Sequence, residues 1–221
     1  MIDRLHYISQ SSAEFSHLEA IEQVLNAGGK WIQLRVKNQA ENEVLNLAKA
    51  ANDLCKKFAS KLIINDFPEI SKAIDADGTH VGLNDISIVN ARLSIGNHKI
   101  IGATANTFAD LQKSVAAGAN YIGLGPYRFT STKQNLSPIL GLEGFKKIMD
   151  QMRNANINIP VIAIGGLTPE DLPELLKTGV YGVALSGVLS NNKDADILIK
   201  QLYQELQNHP FPTLNKPLAS C

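Results

Sequence analysis

Eight short apolar runs, each followed by a longer stretch of mixed character, set the tightest limit on what this chain can fold into. The runs cover residues 5–9, 31–36, 61–65, 79–82, 99–103, 121–124, 160–164 and 180–185. They are continuous rather than alternating, the pattern of parallel strands buried on both faces. The stretches between them carry apolar residues at helical spacing. Leu18, Ile21, Val24 and Leu25 do so ahead of Gly28-Gly29, and Val44, Leu45, Leu47, Ala48, Ala51 and Leu54 do so within residues 40–58. Further helices are expected from Pro68 onward, over 86–95, 108–117, 142–154 and 194–208, and after Thr168-Pro169-Glu170, where Thr168 serves as N-cap and Pro169 as first helical residue. Eight such units joined by short connections predict an α/β protein, a single-domain (β/α)8 TIM barrel. A doubly wound open sheet uses similar units but typically fewer of them. No composition shift divides the chain, so the barrel is expected over residues 1–208, with 209–221 as an irregular tail carrying three prolines.

Size and charge agree with one domain. The chain has 221 residues, and barrels of this kind commonly run roughly 200 to 250. Its 21 basic residues balance 21 acidic ones, so no global field favours nucleic acid or an anionic membrane surface. Any anion must be held locally. No run approaches the roughly 18 apolar residues of a membrane helix, and the start, MIDRLHYIS, moves straight into a strand without a leader-like segment. The expected compartment is the cytosol. Cys55 falls in a helical pattern and is expected in the core, while Cys221 ends the tail; neither has metal-ligand spacing. His6, His17, His80, His98 and His209 show no such spacing either, and are expected to be structural or surface residues.

In a (β/α)8 barrel the chemistry sits at the C-terminal ends of the strands. Strand two ends with Gln33, Arg35 and Lys37, at every second position and so on one side. Strand three ends in Asn65-Asp66, the loop after strand four carries Asn84-Asp85, and strand five ends at Thr104. Strand six opens at Pro126 into a loop with Thr130, Ser131, Thr132 and Lys133, three hydroxyls and an ammonium suited to phosphate oxygens. Strand seven ends in Gly165-Gly166 and strand eight at Ser186-Gly187. Arg35, Lys37 and Lys133 supply positive charge for a strongly anionic group. Asp66 and Asp85 are oxygen donors suited to Mg²⁺, which commonly takes one or two carboxylates beside substrate phosphate and water. Gly165-Gly166, ahead of a helix, offers amides to a second phosphate.

Each residue has a plainer alternative. Asp66 is placed to cap the helix containing Pro68, and Asp85 the helix after it. Gln33, Arg35 and Lys37 also fit a polar interior layer, and Gly165-Gly166 a tight turn.

Taken in order, WIQLRVKN, IIND, DGTHVGLND, GATANT, GLGPYRFTSTK and IAIGGLTPED resemble thiamine phosphate synthase over residues 5–189. The resemblance implies coupling of hydroxymethylpyrimidine diphosphate to hydroxyethylthiazole phosphate with release of pyrophosphate. It implies that Gln33, Arg35, Lys37 and Asn65 contact the pyrimidine diphosphate, that Asp66 and Asp85 hold Mg²⁺, and that Lys133 meets the leaving pyrophosphate. Thr104 stands for a family Ser. Thr130, Thr132, Gly166, Leu185 and Ser186 match the thiazole-phosphate side. On that basis Arg35, Lys133 and Thr104 are the candidate catalytic residues.

The chain departs from the family pattern in places. Leu83-Asn84-Asp85 replaces Gln-Glu-Asp, Asn106 replaces a His, Arg128-Phe129 replaces an apolar residue followed by Pro, and strand eight is one residue short before Ser186. Two alternatives remain open at this point: a thiazole tautomerase on the same barrel, whose general-base His would fall at Asn106, and a non-catalytic barrel that binds thiazole or thiamine phosphate.

Overall fold

The computed structural model describes residues 2–130, 137–190 and 192–209. Its strands form a closed parallel barrel in the order of the chain, each hydrogen-bonded to the next and the eighth to the first. The elements are β1 (Leu5–Ile8), α1 (His17–Asn26), β2 (Trp31–Leu34), α2 (Glu41–Lys57), β3 (Lys61–Asn65), α3 (Pro68–Ala73), β4 (Gly78–Val81), α4 (Ile88–Ile95), β5 (Ile100–Ala105) and α5 (Phe108–Ala116). There follow β6 (Tyr121–Leu124), α6 (Gly141–Asn154), β7 (Val161–Ala163), a 3-10 turn (Pro169–Asp171) running into α7 (Leu172–Lys177), β8 (Gly182–Leu185), α8 (Gly187–Ser190) and α9 (Ala195–Asn208). All eight expected strands are present. The four-residue α8 was not expected. Thr168 takes the N-cap position before Pro169, but the first turn is 3-10, and the Asp171 carboxylate accepts from both the N–H (2.8 Å) and the hydroxyl (3.2 Å) of Thr168.

Strand alternation sorts the core into two layers. Outward residues such as Leu62, Ile64, Ile101, Ile122 and Val183 meet the helices, whose apolar stripes include Val44, Ala48 and Ala51 of α2 and Phe145 and Met152 of α6. Cys55 lies in this layer, its thiol pushed up to about 12 by burial. Inward residues Ile8, Trp31, Ile63, Tyr121, Ile162 and Ala184 fill the barrel. His6 stacks on Trp31 with ring centroids 3.7 Å apart, and Tyr121 meets Trp31 edge-on at 4.8 Å. Such pairs add about 0.5–1.5 kcal/mol beyond area burial. Gly102 makes room for this packing: a Cβ there would stand 2.1 Å from the Tyr121 ring.

Helix starts follow local chemistry. Ser16 caps α1 and Glu19 reaches back to the Ser16 N–H at 2.7 Å, and Thr107 with Asp110 repeats the box at α5. Ser87, not Asp85, caps α4, and α3 begins after Phe67 with Pro68 as its first residue. Both capping alternatives for Asp66 and Asp85 are thereby set aside. Among the described residues no helix is long and apolar enough to cross a membrane.

Candidate active site

The C-terminal ends of the strands open into a cavity of about 510 Å³, within the range of small-molecule sites. Of the residues singled out in the sequence, Gln33, Arg35, Lys37, Asn65, Asp66, Asp85, Thr104, Thr130, Gly165, Gly166, Leu185 and Ser186 all line it. Ser131, Thr132 and Lys133 lie outside the described residues.

The first side of the cavity comes from β2, β3 and β4. Strand β2 stops at Leu34, so Arg35 and Lys37 stand just beyond it, yet the alternation from Gln33 continues and all three converge. The Arg35 N–H donates to Ser9 Oγ at 3.1 Å, and that hydroxyl meets His17 Nδ1 at 2.9 Å. Burial lowers the Arg35 guanidinium, opposed by the charges of Asp66 and Asp85 nearby. Asp66 has a positive φ of 65°, and its N–H donates to His80 O at 2.9 Å. This turns the carboxylate toward the cavity rather than into α3. Lys37 Nζ donates to Asp66 Oδ2. Asp85 accepts the Gly82 N–H at 2.8 Å. Its carboxyl is pushed up, first by burial and then by the hydrogen bond and negative charge of Asp66. Two carboxylates thus face each other beside two cations.

The floor is a polar chain that the sequence reading missed. Gln33 hydrogen-bonds the Tyr121 phenol, the phenol meets His80 Nδ1 at 2.9 Å, and His80 Nε2 meets Thr104 Oγ1 at 3.0 Å. His80 was expected to be structural or surface; it is buried and lines the cavity. Its position was available from strand period, since it follows Gly78 by two and so faces inward. Thr104 lies inside β5, which runs on to Ala105.

The second side comes from β7 and β8. Gly165 and Gly166 have φ values of 98° and 68°. A Cβ on Gly165 would stand 2.6 Å from Pro126, and one on Gly166 would stand 2.5 Å from Arg128 Cγ and 2.7 Å from Phe129 O. Glycine is therefore demanded here by the turn and by the neighbouring loop. Ser186 Oγ donates to Ile8 O at 2.7 Å and lies 3.2 Å from Gln10 Oε1. Leu185 packs in the helix-facing core, so what it can offer the cavity is main chain. Gln10, another lining residue the sequence reading missed, stands just past β1, where a single amide side chain in a polar run gives little signal.

Asn106 does not line the cavity. Its Nδ2 donates to Gly125 O at 2.9 Å and to Pro138 O at 2.8 Å, which closes the base of the β6–α6 loop.

Comparisons with known proteins agree with these motifs. Residues 5–189 match the model of the family described as thiamine monophosphate synthase. The thiamine-phosphate synthase of Flavobacterium johnsoniae is 47% identical over 93% of this chain and 97% of its own. That of Bacteroides fragilis is 47% identical over 86% of this chain and 93% of its own. The solved thiamine phosphate pyrophosphorylase of Pyrococcus furiosus superposes with a TM-score of 0.80 at 28% identity, covering 93% of this chain and 96% of that one. Alignment over nearly the full length of each relative, on a barrel whose strand ends carry the expected residues, shows that the chain belongs to the thiamine monophosphate synthase family.

Proposed function

We propose that this protein joins 4-amino-2-methyl-5-(diphosphooxymethyl)pyrimidine to 4-methyl-5-(2-phosphooxyethyl)thiazole, forming thiamine phosphate and releasing pyrophosphate. The observation that carries the reading is one cavity with two anion-receiving sides of different make. Arg35, Lys37, Asp66 and Asp85 form the first; Thr130, Gly165, Gly166 and Ser186 form the second. The relatives are named for this activity over nearly their whole length.

The bond that breaks joins the pyrimidine methylene carbon to the diphosphate oxygen, and its electron pair leaves with pyrophosphate. The pyrimidinylmethyl cation left behind is captured by the lone pair of the thiazole nitrogen. No protein nucleophile is needed, so catalysis rests on stabilising the leaving charge and on aligning the two substrates. Arg35 and Lys37 supply positive charge on the diphosphate side. Lys133, assigned from the sequence motif alone, adds an ammonium to the leaving group. Thr104, oriented by His80, and Gln33, oriented by Tyr121, are assigned to the pyrimidine.

Asp66 and Asp85 fit a divalent cation. Burial and then the facing Asp66 carboxylate push Asp85 up, and a cation between the two carboxylates would remove the repulsive part of that cost. Among the described residues no cluster of three or more His, Cys, Asp or Glu could hold a metal; a pair suits Mg²⁺, which draws its other oxygens from substrate and water. Mg²⁺ held there would neutralise charge on the diphosphate oxygens.

The tautomerase alternative loses ground, because Asn106 stands away from the cavity with its amide engaged by two loop carbonyls. The deciding experiment incubates the purified protein with both substrates and Mg²⁺ and follows thiamine phosphate. Folded protein that forms none overturns the reading.

A further inference from the structure

The β6–α6 loop is tied at its base. Leu140 N–H donates to Pro126 O at 2.9 Å and Gly141 N–H to Tyr127 O at 3.0 Å, and Asn106 binds Gly125 O and Pro138 O. Those bonds hold the stem but not the stretch from Arg128 to Thr130 that leads to the cavity rim. That stretch is held from the side. Arg128 N–H donates to Gly165 O at 3.0 Å. The Arg128 guanidinium then forks, with Nη1 donating to Gly166 O at 3.1 Å and Nη2 to Asp171 Oδ1 at 2.6 Å. It lies 5.1 Å from the Tyr127 ring centroid. Asp171 is itself fixed, its other oxygen accepting from the Thr168 N–H and hydroxyl, and its side chain is only 10% exposed.

We propose that Arg128 is a positioning residue for the thiazole phosphate. By binding the Gly166 carbonyl and Asp171 at once, it locks residues 128–130 to the β7–α7 turn and sets the spacing between Thr130 and Gly165-Gly166. The proposal rests on the functional reading above, which assigns these residues to that phosphate. The need for a tether follows from the sequence. The stretch that leads to the rim, Arg128-Phe129-Thr130, contains no proline. Proline fixes its own φ; Phe129 does not, so the restraint has to come from a contact outside the loop. A planar fork suits this because it addresses a carbonyl and a carboxylate together, which an ammonium on a flexible stem does less well. The ion pair by itself adds little stability, since the Arg128 side chain is 45% exposed. Its effect is geometric: misplacing a bound group by about 1 Å can cost on the order of 100-fold.

The test measures thiazole phosphate binding to the full chain by calorimetry, with steady-state kinetics for both substrates. In Arg128→Ala, the Kd and KM for thiazole phosphate rise roughly tenfold or more, while the KM for the pyrimidine diphosphate and the Tm hardly move. Arg128→Lys recovers part of the loss. Asp171→Asn weakens thiazole phosphate in the same direction, and the double variant is no worse than Arg128→Ala alone, as expected when two residues act as one unit. Unchanged thiazole phosphate binding, equal rises for both substrates, or a fall in Tm alone would each overturn the assignment of Arg128. Wild-type protein that neither binds thiazole phosphate nor forms thiamine phosphate overturns the functional reading instead.

Discussion

On the β2–β4 side the cavity is lined by acidic and basic side chains, whereas on the β7–β8 side it is lined by main chain and hydroxyls. The first side balances its own charges: Lys37 bonds Asp66, and Arg35 sits in the field of Asp66 and Asp85. The second side is held by packing, with Gly165 and Gly166 pressed against residues 126–129 and Ser186 bonded to Ile8 O. The lesson is that charge and shape fail differently. Removing a charge from the first side is expected to leave the fold intact and to remove the proposed chemistry. Adding an atom to the second side disturbs the backbone, so folding and binding change together.

Asp85→Asn is the sharpest way to test the charged side, and Lys133→Ala tests the ammonium assigned from the sequence motif. Each is expected to lower kcat by about 10²-fold or more with Tm preserved. Asp85→Asn is also expected to remove the Mg²⁺ requirement, and to leave stability equal or higher, because it relieves the burial cost and the Asp66 repulsion that together raise Asp85. Full activity in Lys133→Ala would take that residue out of the mechanism, and retained Mg²⁺ dependence in Asp85→Asn would take that carboxylate out of the metal site.

Gly166→Ala tests the packed side. The new Cβ would lie 2.5 Å from Arg128 Cγ and 2.7 Å from Phe129 O at a φ of 68°. A loss of about 1–3 kcal/mol in stability is expected, together with a raised KM for the thiazole phosphate but not for the diphosphate. Unchanged Tm and KM would break the contrast between the two sides.

The smallest effect comes from below both sides. His6 is buried against Trp31 and held well below its usual range by burial and by His80. Among the described residues, His6 Nε2 and Trp31 Nε1 have no hydrogen-bond partner. Below pH of about 6.5 the unfolded chain takes up a proton that the folded barrel refuses, so stability falls as pH falls, by up to about 1.4 kcal/mol per pH unit. His17, also lowered by burial, adds in the same direction. His6→Phe keeps the stacking and removes one titration, so its Tm should vary less between pH 7 and pH 5 than that of the wild type. Equal pH dependence in the two would rule out His6 as a source.

Legibility in the sequence followed the same division. Arg35, Lys37, Asp66 and Asp85 were found because ionised residues at strand ends have few other reasons to be there. His80 was missed because one histidine in an apolar run resembles core, and only the barrel brings Tyr121 and Thr104 to its two nitrogens. Leu185 was placed on the right strand end, but the pleat turns its side chain to the helices. Gly165-Gly166 was read as an approach for a ligand; both line the cavity, and the reason no side chain could stand there came only from the barrel, where residues 126–129 fill the space a Cβ would take.

By itself the sequence determined the eight βα units, their parallel order and the end of the barrel where the polar residues gather. These follow from apolar period and from the handedness and shortness of βα connections, which are local. Only the tertiary structure decided which polar groups share a hydrogen bond, that Asp85 is raised by burial and by Asp66, and that Arg128 bridges two loops. Those contacts join residues 19 and 43 positions apart, between Asp66 and Asp85 and between Arg128 and Asp171. No local pattern encodes such distances; closure of the barrel does.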